Sequence, residues 1–129
     1  MGIGKLFRLM GNKGMRKLKD YNPGNCPVVY SLNKIGNRWK LLVIHYIKQG
    51  HNRYSTLQKV IPDISRQTLT NQLRELEADG ILERKVFPQI PPKVEYQLTE
   101  LGFSLQPIIN EMSKWGLRHV RPDSDMPKG

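Results

Sequence analysis

The chain has 129 residues, 38% of them hydrophobic, which allows one compact core and not two independent domains. Its 21 Lys and Arg against 11 Asp and Glu give a formal charge of +10, an excess that favours polyanionic partners such as nucleic acid. One cysteine excludes an intramolecular disulfide scaffold, and no run approaches the ~20 apolar residues of a membrane span. With no apolar stretch of signal-peptide length at the start, a soluble cytoplasmic protein without membrane partners is expected.

Residues 1–25 are glycine-rich and basic and end in the turn signal Asn22-Pro23-Gly24-Asn25. They read as a mobile basic arm, with a short helix around Lys5–Met10. The core domain is expected over 26–119, followed by a disordered tail, 120–129.

From Cys26 the pattern becomes periodic. Pro27 suits a first helical turn, Val28, Leu32 and Ile35 follow at helical spacing, and Gly36 ends that helix. A second helix is expected from Arg38 to Gln49, with Trp39, Leu42, Val43, Tyr46 and Ile47 as its apolar stripe and Gly50 as its stop. Ser55 is the expected cap of a short third helix that Pro62 closes.

Ser65 is the expected cap of a fourth helix, Arg66 to Asp79, that Gly80 terminates. Its leucines, Leu69, Leu73 and Leu76, recur at i, i+4 and i+7, and the opposite side carries Arg66, Gln67, Thr70, Asn71 and Arg74. Two β-like runs follow, Ile81–Phe87 and Val94–Leu98, joined by the loop Pro88-Gln89-Ile90-Pro91-Pro92-Lys93, whose prolines bar a helix. Thr99 is the expected cap of a long last helix carrying Leu101, Leu105, Ile108, Ile109, Met112 and Trp115, with Pro107 kinking it or interrupting a hydrogen bond.

The last three of these helices and then a two-stranded hairpin make a winged helix-turn-helix plan, mainly α with a small β wing. The major groove admits one helix, and Arg, Asn and Gln pair two-pronged with guanine and adenine edges. Arg66, Gln67, Asn71 and Arg74 supply that chemistry, while Ser65 and Thr68 can donate to phosphate near the helix N-terminus. A polar outer face is also what any solvated helix shows. The absence of acids from Ser65 through Arg74 tilts the balance towards DNA, because cations near a helix N-terminus oppose its dipole. Arg84, Lys85 and Lys93 flank the proline loop, placed to lie along the DNA backbone or to enter the minor groove.

The residues that carry a family resemblance are Cys26-Pro27, Ile35-Gly36-Asn37-Arg38-Trp39-Lys40, Arg53-Tyr54-Ser55-Thr56-Leu57 and Ile64-Ser65-Arg66-Gln67-Thr68-Leu69-Thr70. They continue through Leu73-Arg74-Glu75-Leu76-Glu77-Ala78-Asp79-Gly80, Pro91-Pro92-Lys93-Val94-Glu95-Tyr96, Leu98-Thr99-Glu100-Leu101-Gly102 and Trp115-Gly116. Together these segments, spread over residues 26–116, resemble the HxlR-type regulators, a winged-helix family related to the MarR group. Asn37-Arg38 stands where that family often has Gly-Lys, and the arm before Cys26 is longer than the family pattern.

The resemblance implies a sequence-specific, DNA-binding transcriptional regulator. It also implies a homodimer built on the N-terminal segment and the last helix, where Leu105, Ile108, Ile109, Met112 and Trp115 would form the interface. Double-stranded DNA is then the expected partner, read as an inverted repeat with half-sites ~34 Å apart. The alternative for those apolar residues is that they only cover the chain's own core.

The resemblance further makes Cys26 a candidate redox or electrophile sensor. Its place at a helix N-terminus in basic surroundings promotes thiol reactivity, and the alternative is a half-buried space-filler before Pro27. A small-molecule effector stays open. His45, His51 and His119 are too scattered for a metal site, and Trp39, Tyr46, Tyr54 and Trp115 read as packing rather than a ligand cage. No nucleophile–base pair or phosphate loop is present, so neither catalysis nor a cofactor is expected. Two rivals share the fold: a winged helix that docks protein, and a ligand-sensing module with DNA binding as its output.

Overall fold

The computed structural model describes residues 20–122. The helix expected around Lys5–Met10, most of the 1–25 arm and residues 123–129 of the tail lie outside the described residues. The structure divides into two compact units, one ending at Lys40 and one beginning at Leu41.

In the first unit, α1 spans Pro27–Ile35 with Cys26 as its extended N-cap, as the sequence led us to expect. The Asn22 side chain brackets Cys26, accepting from its N–H at 2.9 Å and donating to its carbonyl at 2.8 Å. Asn33 donates to the Tyr21 carbonyl at 3.0 Å and Lys34 pairs with Asp20 at 3.1 Å, so residues 20–22 are laid back along α1. Ile35 is buried, but Val28 and Leu32 are 65% and 60% exposed. The spacing identified one helical face correctly, and that face is largely uncovered in the single chain. After Gly36, the Asn37 side chain accepts from the backbone N–H groups of Trp39 and Lys40, both at 2.9 Å. These are donors that a helix start leaves without partners.

α2 spans Lys40–Lys48, two residues shorter at its start than the expected Arg38–Gln49. Val43, Ile44 and Ile47 are the residues it buries, whereas Trp39, Leu42 and Tyr46 are only partly covered. The continuous apolar run Leu41-Leu42-Val43-Ile44 hides the phase of the buried stripe, and Ile44 was missed for that reason. Gly50, at φ +107°, donates to the Ile47 carbonyl while His51 donates to that of Tyr46. This is a Schellman closure, which needs the left-handed residue that glycine supplies.

α3 spans Tyr54–Val60, and here the expected cap is corrected. Ser55 lies inside the helix, and the N-cap is Arg53, whose side chain makes no capping bond. A tertiary contact outweighs the local preference: Tyr54 occupies the first helical position with its hydroxyl donating to the Arg66 carbonyl. α4 spans Arg66–Ala78 and buries Leu69, Gln72, Leu73 and Leu76, the three expected leucines and one unexpected glutamine.

The second Schellman closure follows α4. Gly80, at φ +74°, donates to the Glu77 carbonyl, and Ile81 donates to that of Leu76 at 2.9 Å. The chain then enters β1, Leu82–Phe87, which pairs antiparallel with β2, Lys93–Leu98, in a register running from Leu82 opposite Leu98 to Phe87 opposite Lys93.

The single long last helix is also corrected, into two helices. Thr99 does cap α5, Glu100–Phe103, accepting from the Gly102 N–H, but α6 begins separately and spans Gln106–His119. Pro107 sits in the first turn of α6, where its missing N–H is harmless, so it starts a helix rather than kinking one.

The second unit buries Val43, Ile44 and Ile47 of α2, Leu57 of α3 with the following Ile61 and Ile64, the α4 leucines, Ile81, Leu82 and Ile109. Gly102 backs onto this core so closely that an added Cβ would collide with the Ile81 carbonyl oxygen and press on the Leu98 side chain. Replacing Gly102 by Ala should therefore lower stability by about 1–3 kcal/mol, the usual penalty of overpacking. Urea unfolding followed by circular dichroism measures it, and an unchanged midpoint would show that the corner yields freely.

Candidate nucleic-acid interface

The N-terminus of α4 is built first by its cap. The Ser65 hydroxyl oxygen accepts from the Thr68 N–H at 3.1 Å and its proton goes to the Thr68 hydroxyl at 2.9 Å. Of the two hydroxyls expected to reach phosphate, Ser65 is thus committed within the cap, and the Thr68 proton is the one left to donate outward. Arg66, Gln67, Asn71 and Arg74 are all exposed on the side away from the buried leucines, and Thr70 is half-buried. Four groups able to read base edges or phosphate therefore occupy one accessible helix face of some two and a half turns.

Tyr54 braces that face from behind. Its hydroxyl donates to the Arg66 carbonyl at 2.9 Å and receives the Thr70 hydroxyl at 3.3 Å. Thr70, expected to contact DNA, is therefore already engaged with α3. From the sequence alone Tyr54 reads only as packing. No local sequence signal reveals its role, because its partners lie 12 and 16 residues away.

Beyond Tyr54 a polar cleft of about 260 Å³ opens, lined by Tyr54, Thr70, Leu73, Arg74, Glu77, Arg84 and Tyr96. Arg84 pairs with Glu77 across it at 3.6 Å, linking the base of the hairpin to α4. Both side chains are substantially exposed, so the pair orients more than it stabilises, by at most about 1 kcal/mol. Burial pushes the Tyr96 phenol above its ordinary pKa of 10.0, partly offset by the nearby Arg84 guanidinium, so it stays neutral throughout the physiological range. Glu77 and Tyr96 were not among the expected site residues.

On the hairpin, Lys85 is exposed, whereas Lys93 is half-buried between Glu95, at 3.7 Å, and the face of the Phe87 ring, 5.1 Å from its centroid. The expected basic wing thus has one outlying cation and two, Arg84 and Lys93, held by carboxylates of the same unit.

Of the residues expected at a dimer interface, Ile108, Met112 and Trp115 are exposed at i, i+4 and i+7 of α6, Leu105 is partly covered, and Ile109 is buried within its own chain. Cys26 is half-buried with a free thiol. Among the described residues no cluster of three or more His, Cys, Asp or Glu is placed to hold a metal ion, and no helix is long and apolar enough to cross a membrane.

Residues 34–124 match the family model of the HxlR-like helix-turn-helix. The chain is 46% identical over 95 residues to YybR of Bacillus subtilis, an uncharacterised HTH-type transcriptional regulator, a match spanning 74% of this chain and 76% of that protein. The fold is similar to that of the redox regulator HypR in its oxidized form, with a TM-score of 0.71, 45% identity, and coverage of 74% of this chain and 99% of that one. It is also similar to the reduced form of the transcriptional regulator YodB from B. subtilis, with a TM-score of 0.63, 40% identity, and coverage of 75% and 96%.

The cap at Ser65 sets where the exposed face begins. Ser65→Ala should lower stability by about 1 kcal/mol and Ser65→Gly by only a few tenths, as for other N-caps. Thermal unfolding of both variants decides this, and equal losses would mean the hydroxyl is not what holds the first turn.

Proposed function

This chain belongs to the HxlR-like helix-turn-helix family as an HTH-type transcriptional regulator, and we propose that it acts in the cytoplasm as a homodimer reading an inverted-repeat operator in double-stranded DNA. The observation that carries the reading is the exposed side of α4. Arg66, Gln67, Asn71 and Arg74 stand clear of the core, with no acid before Glu75, on a helix braced by Ser65 and Tyr54. The hairpin 81–98 is the wing, with Lys85 on the phosphate backbone and Arg84 and Lys93 beside it. Residues 1–25 precede this domain, 26–119, as a basic arm that adds non-specific attraction, and 120–129 follow it as a tail.

For the dimer, the support is the stripe Ile108, Met112 and Trp115 on α6, too large and regular for scattered surface residues. Two copies related by a two-fold would place their α4 helices in successive major grooves ~34 Å apart.

Fluorescence anisotropy tests the reading, comparing a duplex enriched by the protein from a random-sequence pool with a scrambled duplex at two salt concentrations. Preference by about 10³ or more is the range of specific binders. Arg74→Ala should lose about 1–3 kcal/mol on the enriched duplex alone, whereas Lys85→Ala should weaken both duplexes alike. Equal and steeply salt-dependent binding to both duplexes would refute sequence-specific reading.

Control through Cys26 is part of the proposal, supported by the half-buried free thiol at the α1 N-cap and by similarity to a protein described as a redox regulator. With one cysteine per chain, diamide would take two electrons and two protons from the Cys26 thiols of two protomers as an intersubunit disulfide forms. Alkylation by an electrophile would instead leave an adduct. Diamide should change affinity for the enriched duplex in the native chain and leave Cys26→Ser unaffected. An identical response in both would remove Cys26 from the mechanism.

A further inference from the structure

The cleft between α4 and the hairpin holds chemistry that DNA reading does not use up. Around its volume of about 260 Å³ stand two guanidiniums, Arg74 and Arg84, one carboxylate, Glu77, and the hydroxyls of Tyr54, Thr70 and Tyr96. Two cations against one anion leave the lining with a positive charge, and Leu73 is its one aliphatic side chain.

Some of these groups are committed and some are not. Tyr54 and Thr70 are bonded to each other, and Tyr54 to the Arg66 carbonyl. Arg84 meets Glu77 through Nε alone, at 3.6 Å, which leaves both terminal nitrogens for another acceptor. Arg74 and the Tyr96 hydroxyl have no hydrogen-bond or ion-pair partner among the described residues. The Tyr96 backbone is fixed, opposite Arg84 in the ladder and donating its N–H to the Asn52 carbonyl at 2.8 Å. Arg84, Glu77 and Arg74 all lie near enough to the phenol to act on it electrostatically. A half-buried hydroxyl without a partner costs free energy, which a ligand supplying an acceptor recovers.

Resting on the DNA-binding reading above, we propose that this cleft binds a small hydroxylated oxyanion, a carboxylate or a phosphate monoester, in competition with DNA. The anionic oxygens lie between Arg74 and Arg84, whose forked donors match either head group, and accept from the Tyr96 hydroxyl. A hydroxyl on the ligand skeleton donates to Glu77, the one carboxylate in the lining. With Leu73 alone to meet carbon, the cleft suits a polar ligand rather than a flat apolar one. A duplex is a convex rod far wider than the cleft, so DNA meets the exposed Arg74 and not the half-buried Tyr96. Arg74 cannot serve the anion and a base edge together, so each ligand weakens the other by the same factor.

Calorimetric titration of the full chain without DNA tests the site. Glycerate and glycerol phosphate are the hydroxylated probes, and inorganic phosphate and benzoate are the comparisons. Glycerate or glycerol phosphate should bind about tenfold more tightly than either comparison, and the one that does identifies the head group. Tyr96→Phe should bind it about tenfold more weakly, the loss of one hydrogen bond to a charged group. Its melting temperature and its affinity for duplex DNA should match the native chain, because the hydroxyl bonds to nothing in the fold. At constant ionic strength, the anion at about ten times its Kd should weaken the enriched duplex about tenfold in the native chain and about twofold in Tyr96→Phe. Proton–nitrogen NMR of the native chain is a readout independent of that variant. The anion should move the Nε–H signals of Arg74 and Arg84 and leave those of Arg53 and Arg66 in place.

If neither hydroxylated anion binds more tightly than the comparisons, or if binding leaves the Arg74 and Arg84 signals unmoved, the site is wrong and the DNA reading is untouched. Binding in the cleft with no loss of DNA affinity would overturn the competition. If the chain enriches no duplex, the DNA reading fails and the competition with it, whereas the calorimetric result stands by itself.

Discussion

The rest of the second unit hangs on one corner, where α4 stops and the wing begins. Gly80 turns the chain through a left-handed residue, and Ile81 then closes the helix by donating to Leu76. The same Ile81 carbonyl accepts the Thr99 N–H at 3.1 Å from the far end of β2, while the Thr99 hydroxyl donates to the Gly80 carbonyl and lies 3.1 Å from that of Ile81. The Thr99 hydroxyl oxygen in turn caps α5, and Gly102 presses its backbone against that same carbonyl. Four elements (α4, both strands and α5) therefore meet at Gly80, Ile81, Thr99 and Gly102. Backbone groups buried at such a junction must be paired, and each partner fixes the direction of another element.

The corner decides which forces position the groups proposed to read DNA. The Glu77–Arg84 pair also joins α4 to the wing, but it is half-exposed and screened, and pairs of that kind contribute at most about 1 kcal/mol. Leu76, Ile81 and Leu82 are nearly sealed from solvent at the same joint, and a fully buried aliphatic side chain contributes about 1.5–3 kcal/mol each. The angle between helix and wing is thus held by burial and backbone hydrogen bonding, leaving the ion pair adjustable. Tyr54 does for the start of α4 what the corner does for its end. With both ends fixed, the exposed face acts as a rigid template, which suits recognition in which half an ångström of misplacement breaks a bidentate contact.

What the sequence revealed and what it concealed divide along physical lines. The α4 cap, its leucines, the stop at Gly80 and both strands were legible, because each depends on residues within a turn or a strand of one another. Ser55 misled because a hydroxyl before a periodic run is only a local preference, and Tyr54 obeyed a bond to Arg66 twelve residues away. The last helix was read as one because Leu101, Leu105 and Ile108 keep helical spacing across the break at 104–105. The break falls where α5 is tied to the corner and Pro107 starts a new helix. At the candidate site, residue types were visible and their commitments were not. Ser65, Thr70, Arg84 and Lys93 all carry the right chemistry, yet each already has a partner within the chain.

The break between α5 and α6 also separates two tasks that one continuous helix would couple rigidly. α5 belongs to the corner, since Gly102 lies so close to Ile81 and Leu98 that not even a Cβ would fit between them. α6 leaves it through Ser104 and Leu105 and buries little beyond Ile109, presenting Ile108, Met112 and Trp115 outward. In the proposed dimer, the geometry within each half-site would be set by the corner, and the spacing between half-sites by α6 and the short joint that launches it. A signal that alters affinity would then have no need to distort the reading face. A small change at the joint or between paired helices, amplified over the ~34 Å between half-sites, would put one α4 out of register with its groove. Such an arrangement would let a rigid reader be controlled from outside itself, and it directs attention for regulation of this kind to the exposed apolar helix rather than to the residues proposed to face DNA.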